Sequence, residues 1–134
     1  MPGSIHHIVI TVSDLDRSTE FYDRILPLMR FRRGADVPEG PIWAGTDVEI
    51  GLAQARLTSR RNHDRYSPGL HHLAFSAPDC AAVDSLHDQL VQLRVQMLDP
   101  PAAYPQYGSG YYAVFFADPD GIKLEYVFTP RGPM

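Results

Sequence analysis

The feature that most constrains this chain is a repeat. The stretch Ile5 to Asp14, Ile-His-His-Ile-Val-Ile-Thr-Val-Ser-Asp, returns slightly altered from Leu70 to Asp79. Superposing the two sets His6 on His71, His7 on His72, Ile8 on Leu73, Thr11 on Ser76 and Asp14 on Asp79. A period of about half the chain is too long for a solenoid, so the pattern is two copies of one supersecondary unit sharing a core. Function is expected where the copies meet.

With 134 residues, 44% of them apolar and 21% charged, the chain has material for one core. Its formal charge of −4 comes without a basic stripe or a long acidic run. Nucleic acid and anionic membrane surfaces are therefore not expected partners, which leaves a small molecule. The opening Met-Pro-Gly-Ser-Ile-His-His lacks the charged and apolar segments of a secretory signal. No apolar run approaches the ~20 residues of a membrane span, so a soluble cytoplasmic protein is expected. The single cysteine, Cys80, cannot form an internal disulfide. It falls just inside a helix start, where the dipole favours a thiolate; the plainer reading is a small buried residue.

Taken in order, Ile5 to Val12 is predicted as a strand, with His6, Ile8, Ile10 and Val12 on one face and His7, Val9 and Thr11 on the other. Asp14 caps a helix whose stripe is Leu15, Tyr22, Ile25 and Leu26, ended by Pro27. Strands are predicted near Leu28 to Arg33, Pro41 to Ala44 and Val48 to Leu57, giving βαβββ. The polar segment 58–69 reads as a linker, in which Arg60, Arg61, His63 and Arg65 are candidates to receive an anionic substrate.

The second unit opens with a strand from Leu70 to Ala77, its His72, Ala74 and Ser76 sharing one face. Asp79 caps a helix with Ala82, Val83, Leu86, Leu90 and Leu93 at helical spacing; His87 falls off that stripe and reads as solvated. A strand near Val95 to Leu98 leads into a loop rich in Pro and Gly, where Tyr104, Tyr107 and Tyr111 either wall a pocket or pin the loop. A hairpin closes the chain: Tyr111 to Phe116, a type I turn at Asp118-Pro119-Asp120-Gly121, then Ile122 to Phe128. Lys123, Glu125 and Val127 share one face of its last strand.

His7, His72 and Glu125 thus stand on the less apolar faces of three strands. Two imidazoles and a carboxylate suit a divalent ion such as Zn, Ni, Mn or Fe(II), with positions left for substrate or water. Equivalent residues of duplicated units can converge near a pseudo-two-fold axis. His6 and His71 repeat equally well, but their parity places them on the helix side, in a capping or packing role.

The chain resembles the vicinal oxygen chelate superfamily, which includes glyoxalase I, extradiol dioxygenases, fosfomycin-resistance thiol transferases and bleomycin-resistance proteins. The matching stretches are His7-Ile-Val-Ile-Thr-Val-Ser-Asp-Leu-Asp-Arg-Ser-Thr-Glu-Phe-Tyr22, His71-His-Leu-Ala-Phe-Ser and Phe116-Ala-Asp-Pro-Asp-Gly-Ile-Lys-Leu-Glu125. The resemblance implies an α+β fold: two tandem βαβββ units forming one domain, 1–134, with an incomplete barrel-like sheet around a cavity. Unit one would span about 4–57, the linker 58–69 and unit two about 70–128.

The resemblance also implies that His7, His72 and Glu125 are metal ligands, and that the chain is a homodimer, often with each site built from both chains in such relatives. Glyoxalase I-like members carry a fourth ligand, a glutamate, where this chain has Gly51; Glu49 has the same parity two residues earlier. Thiol transferases carry a threonine where this chain has Val9. The expected function is a divalent-metal-dependent enzyme whose small substrate meets the metal through two oxygens, with lyase/isomerase or dioxygenase chemistry and Glu125 as a proton carrier. The alternative is a metal-free protein of the bleomycin-resistance type that sequesters a small molecule.

Overall fold

The computed structural model describes residues 1–132. It is a mixed α+β fold with two four-stranded sheets, and the chain divides into two compact units, Met1–Asn62 and His63–Met134.

In the first unit β1 (His7–Val12) is followed by α1 (Leu15–Ile25), a 3-10 turn (Leu26–Met29), β2 (Arg32–Arg33), β3 (Ile42–Ala44) and β4 (Glu49–Gln54). The sheet order is β1-β4-β3-β2, with β1 parallel to β4. Period-two alternation places Ile10 and Val12 in the core and leaves His7, Val9 and Thr11 exposed. Asp14 caps α1, its carboxylate accepting the Arg17 N–H at 3.1 Å. Tyr22 and Ile25 of α1 are buried with Trp43, Ile50 and Leu52 of the sheet. The Trp43 indole N–H, buried with its ring, finds the Asp23 carboxylate at 2.9 Å.

The second unit repeats the plan with β5 (Leu73–Ser76), α2 (Cys80–Gln92), β6 (Gln96–Ala103), β7 (Tyr112–Ala117) and β8 (Lys123–Phe128). Its order, β5-β8-β7-β6 with β5 parallel to β8, is the order of the first sheet. The duplication reaches details that the sequence pattern does not carry. Each helix region ends on an arginine in the left-handed conformation, Arg30 at φ 68° and Arg94 at φ 59°. Each is closed by a six-to-one hydrogen bond, Phe31 N–H to the Leu26 carbonyl and Val95 N–H to the Leu90 carbonyl.

Several expectations are corrected. Between Leu28 and Arg33 only Arg32 and Arg33 are strand, because the chain first makes the Leu26–Met29 turn, with Pro27 in its opening turn and Leu26 and Met29 buried. The second opening strand starts at Leu73, so His71 and His72 stand just before it. β6 runs through Asp99, Pro100 and Pro101 to Ala103 rather than giving way to loop. It is an edge strand with register shifts at those residues, the setting in which proline is tolerated in a sheet. Cys80 is exposed, so it is no small core residue. His87 is half-buried, with a buried Nδ1 that has no hydrogen-bond partner, instead of being solvated.

The β7–β8 turn sets the register that matters below. Gly121 N–H bonds the Asp118 carbonyl at 2.9 Å, and Gly121 takes φ 79°, a conformation that glycine adopts without steric cost. The Asp118 side chain, 3% exposed, accepts the N–H groups of both Asp120 and Ile122 at 2.9 Å. Asp118→Ala leaves these donors unpaired and is expected to lower the unfolding free energy by about 1–3 kcal/mol in urea denaturation. A shift well under that range would mean that water replaces the carboxylate.

Candidate functional site

β8 is an interior strand, flanked by β5 and β7. Its register pairs Glu125 with Ala74 on one side and Phe115 on the other. Leu124 and Tyr126 are buried with Phe75, Val114 and Phe116, and α2 packs on β6, β7 and β8. Glu125 has the opposite parity on β8, yet it is itself only 1% exposed. A carboxylate so far out of water requires partners, and Glu125 has two.

One Glu125 oxygen, Oε2, accepts a short hydrogen bond from the Tyr111 hydroxyl. The other, Oε1, stands 3.1 Å from His72 Nε2. His72 keeps about a third of its side chain exposed, and its Nδ1 lies 2.8 Å from Nδ1 of His71. Around this pair, the Phe115 ring meets His72 edge-on at 6.5 Å and Tyr104 at 5.5 Å. Tyr104, Tyr107 and Tyr111 contact one another, and the Lys123 ammonium lies 4.5 Å above the Phe115 ring.

His72 and Glu125 are two donors of the kind a divalent metal takes. A separation of 3.1 Å serves a hydrogen bond, and it equally serves two ligands of one ion, since donors about 2.1 Å from a metal lie roughly 3.0–3.4 Å apart at octahedral to tetrahedral angles. An imidazole whose second nitrogen is already held by a neighbour, as His71 holds that of His72, is the usual form of a metal-ligating histidine.

The sequence profile of the glyoxalase/bleomycin resistance protein/dioxygenase superfamily matches residues 4–126. The chain belongs to this superfamily. A metallothiol transferase FosB of Lysinibacillus sphaericus is 30% identical over 126 residues, covering 92% of this chain and 80% of that protein. The lactoylglutathione lyase of Haemophilus influenzae is 30% identical over 132 residues, covering 92% and 90%. A glyoxalase-like protein of Bacillus halodurans superposes with a TM-score of 0.82 at 28% identity, over 96% of this chain and 97% of that one.

As a superfamily member the chain differs between its two units. In the first, His7 is exposed on β1 and pairs in register with Glu49 on β4. His6 is exposed rather than packed, its Nδ1 3.0 Å from Nδ1 of His7 and 4.0 Å from the Glu49 carboxylate. Gly51 pairs with Val9 as Glu125 pairs with Ala74, so Gly51 occupies the place of Glu125 in the duplicated plan. Nothing steric demands a glycine there, since an added Cβ would meet no atom closer than 3.6 Å. Among the described residues no group of three or more His, Cys, Asp or Glu is assembled to hold a metal ion. The structure brings His72 and Glu125 together, and His7 stands on the first unit.

Tyr111 is the residue whose role sequence reasoning missed. The sequence placed it at the start of the closing hairpin, among tyrosines that either wall a pocket or pin the loop, and only the parity it shares with Phe115, the partner of Glu125, pointed toward the carboxylate. Burial first, and then its bond to Glu125, raise the Tyr111 phenol well above the usual tyrosine range. Burial also raises Tyr104, and the bond to Asp84 pushes Tyr112 up to about 12. Raised values favour the neutral phenol in the fold. Stability from these groups is therefore present below the unfolded tyrosine value of about 10 and is lost as pH rises beyond it. Phenolate absorbance of the native protein should rise in two stages, these three tyrosines in the later one. One stage at the ordinary value, with the fold intact, would contradict the hydrogen bonds.

Proposed function

We propose that this superfamily member is a divalent-metal-dependent enzyme acting on a small substrate through two neighbouring oxygens, in lyase/isomerase or ring-cleaving dioxygenase chemistry. His7, His72 and Glu125 would hold the ion, in a homodimer. The observation that carries this is Glu125: a carboxylate 1% exposed, with one oxygen 3.1 Å from a half-exposed imidazole. Burying a carboxylate is costly, and a hydrophobic residue of similar size would serve the fold as well or better. Chemistry is the reason to keep it.

A divalent ion bound there supplies Lewis acidity toward the substrate's oxygens. The chain's own residues do the rest. Glu125 Oε1 faces the half-exposed His72, so it can take a proton from a substrate carbon or oxygen and return it. Glu125 is 1% exposed, and at a site kept from bulk water each polar contact is strengthened. Lys123, over Phe115, and Arg65, whose guanidinium stacks on Tyr66 at 5.0 Å, offer positive charge to an anionic group.

The test compares protein loaded with Ni, Zn, Mn or Fe(II) against chelator-stripped protein, on α-hydroxycarbonyl thioadducts and on catechols. Turnover of either class, dependent on metal and lost in His72→Ala, is expected. Tight binding of such compounds to stripped protein, with no turnover by any loaded form, would favour a sequestering protein instead.

A further inference from the structure

We propose that Tyr111 is a positioning residue that commits Glu125 to act through one oxygen, Oε1, a proposal that rests on the metal reading above. The two carboxylate oxygens are in different situations. Oε2 accepts the Tyr111 hydroxyl; Oε1 is the atom beside His72 Nε2. A carboxylate with both oxygens free can chelate an ion through both, taking two of its positions. With Oε2 held by a phenol, Glu125 offers one donor and leaves an additional position to substrate or water.

Tyr111 is itself held in place, which a positioning group requires. Its backbone N–H bonds the Gly108 carbonyl at 3.2 Å, and its carbonyl accepts the Tyr104 N–H at 2.9 Å. Its ring packs against Tyr107 at 5.4 Å and Tyr104 at 6.3 Å. The loop that carries these tyrosines thus sets how an interior strand residue presents its charge. Outer partners of this kind typically change metal affinity by about 10–100-fold when removed.

The experiment titrates Co2+ into chelator-stripped wild type, Tyr111→Phe and Tyr112→Phe, reading affinity by calorimetry and coordination by the visible Co2+ bands. Thermal melting confirms that each variant is folded. Tyr111→Phe is expected to change Co2+ affinity by about 10–100-fold and to shift the bands, because the released oxygen turns to the ion. Tyr112→Phe, which removes a neighbouring phenol bonded instead to Asp84, should leave both readouts unchanged.

Equal affinity and equal bands in a folded Tyr111→Phe would overturn the positioning role and leave the metal reading standing. No Co2+ bands in wild type would overturn both. Should Tyr111→Phe fail to fold, 4-fluorophenylalanine at position 111 keeps the shape while removing the donor. Shifted bands then support the role, and unshifted bands overturn it.

Discussion

Glu125→Gln is expected to weaken divalent-metal binding by about 100-fold or more, the upper end of what loss of a mere outer partner produces, while the protein stays folded. The side chain keeps its size, and the amide oxygen can still accept the Tyr111 hydroxyl. What disappears is a negative charge at a site 1% exposed. His72, with about a third of its side chain exposed, is not left as a stranded buried charge. The cost is that of weakening two hydrogen bonds to a charged acceptor, so the unfolding free energy should fall by no more than about 1–3 kcal/mol. Equilibrium dialysis with Zn2+ reads the first effect and urea denaturation the second. A much larger fall in unfolding free energy, with metal binding intact, would make Glu125 a structural residue.

The second large effect concerns how the ligand set is completed. His72→Ala and His7→Ala are each expected to abolish metal binding when pure. In a homodimer whose sites each take His7 from one chain and His72 with Glu125 from the other, mixing the two variants gives a different result. Each heterodimer then contains one site with both alanines and one site with none. Random exchange of subunits makes half of the dimers mixed, so about a quarter of all sites should regain metal. Sites built within a single chain would regain none, whatever the mixing. Unfolding and refolding the variants together, followed by metal analysis, separates the two cases by presence against absence. Recovery near a quarter places His7 and His72 in one site from two chains.

Much of the fold was legible because its signals are local and repeated. Alternation in Ile8-Val9-Ile10-Thr11-Val12 showed which face of β1 is buried, and Asp14 and Asp79 marked both helix starts, where each caps as expected. The turn at Asp118 to Gly121 was readable from its proline and glycine, and with it the β7–β8 hairpin. What was not legible depends on partners distant in sequence. Asp99-Pro100-Pro101 reads as loop by composition, and only its place at a sheet edge lets it be strand. Leu28 to Arg33 alternates plausibly as a strand, but burial of Leu26 and Met29 draws its beginning into a 3-10 turn.

The site divides in the same way. That His72 and Glu125 share a face followed from strand parity, and their pairing at 3.1 Å adds the distance. The depth of Glu125 did not follow, because nothing in Lys-Leu-Glu-Tyr says that the charged face is covered as well as the apolar one. The bond from Tyr111 was equally hidden, since a place at the start of the hairpin strand names no partner for its hydroxyl. Gly51 illustrates the converse: alignment of the two copies predicted the place of Glu125 in the first unit, and the sheet register shows the same equivalence.

The most direct test of the central claim is the metal content of untagged protein, purified without chelator, measured by elemental analysis beside His72→Ala. One equivalent of Ni, Zn, Mn or Fe per chain in wild type is expected, and none in the variant, with both proteins melting at similar temperatures. Nickel or zinc would direct attention to isomerisation, and iron to oxygenation. No metal in wild type even after reconstitution, or the same metal content in His72→Ala, would contradict a metal centre at His72 and Glu125.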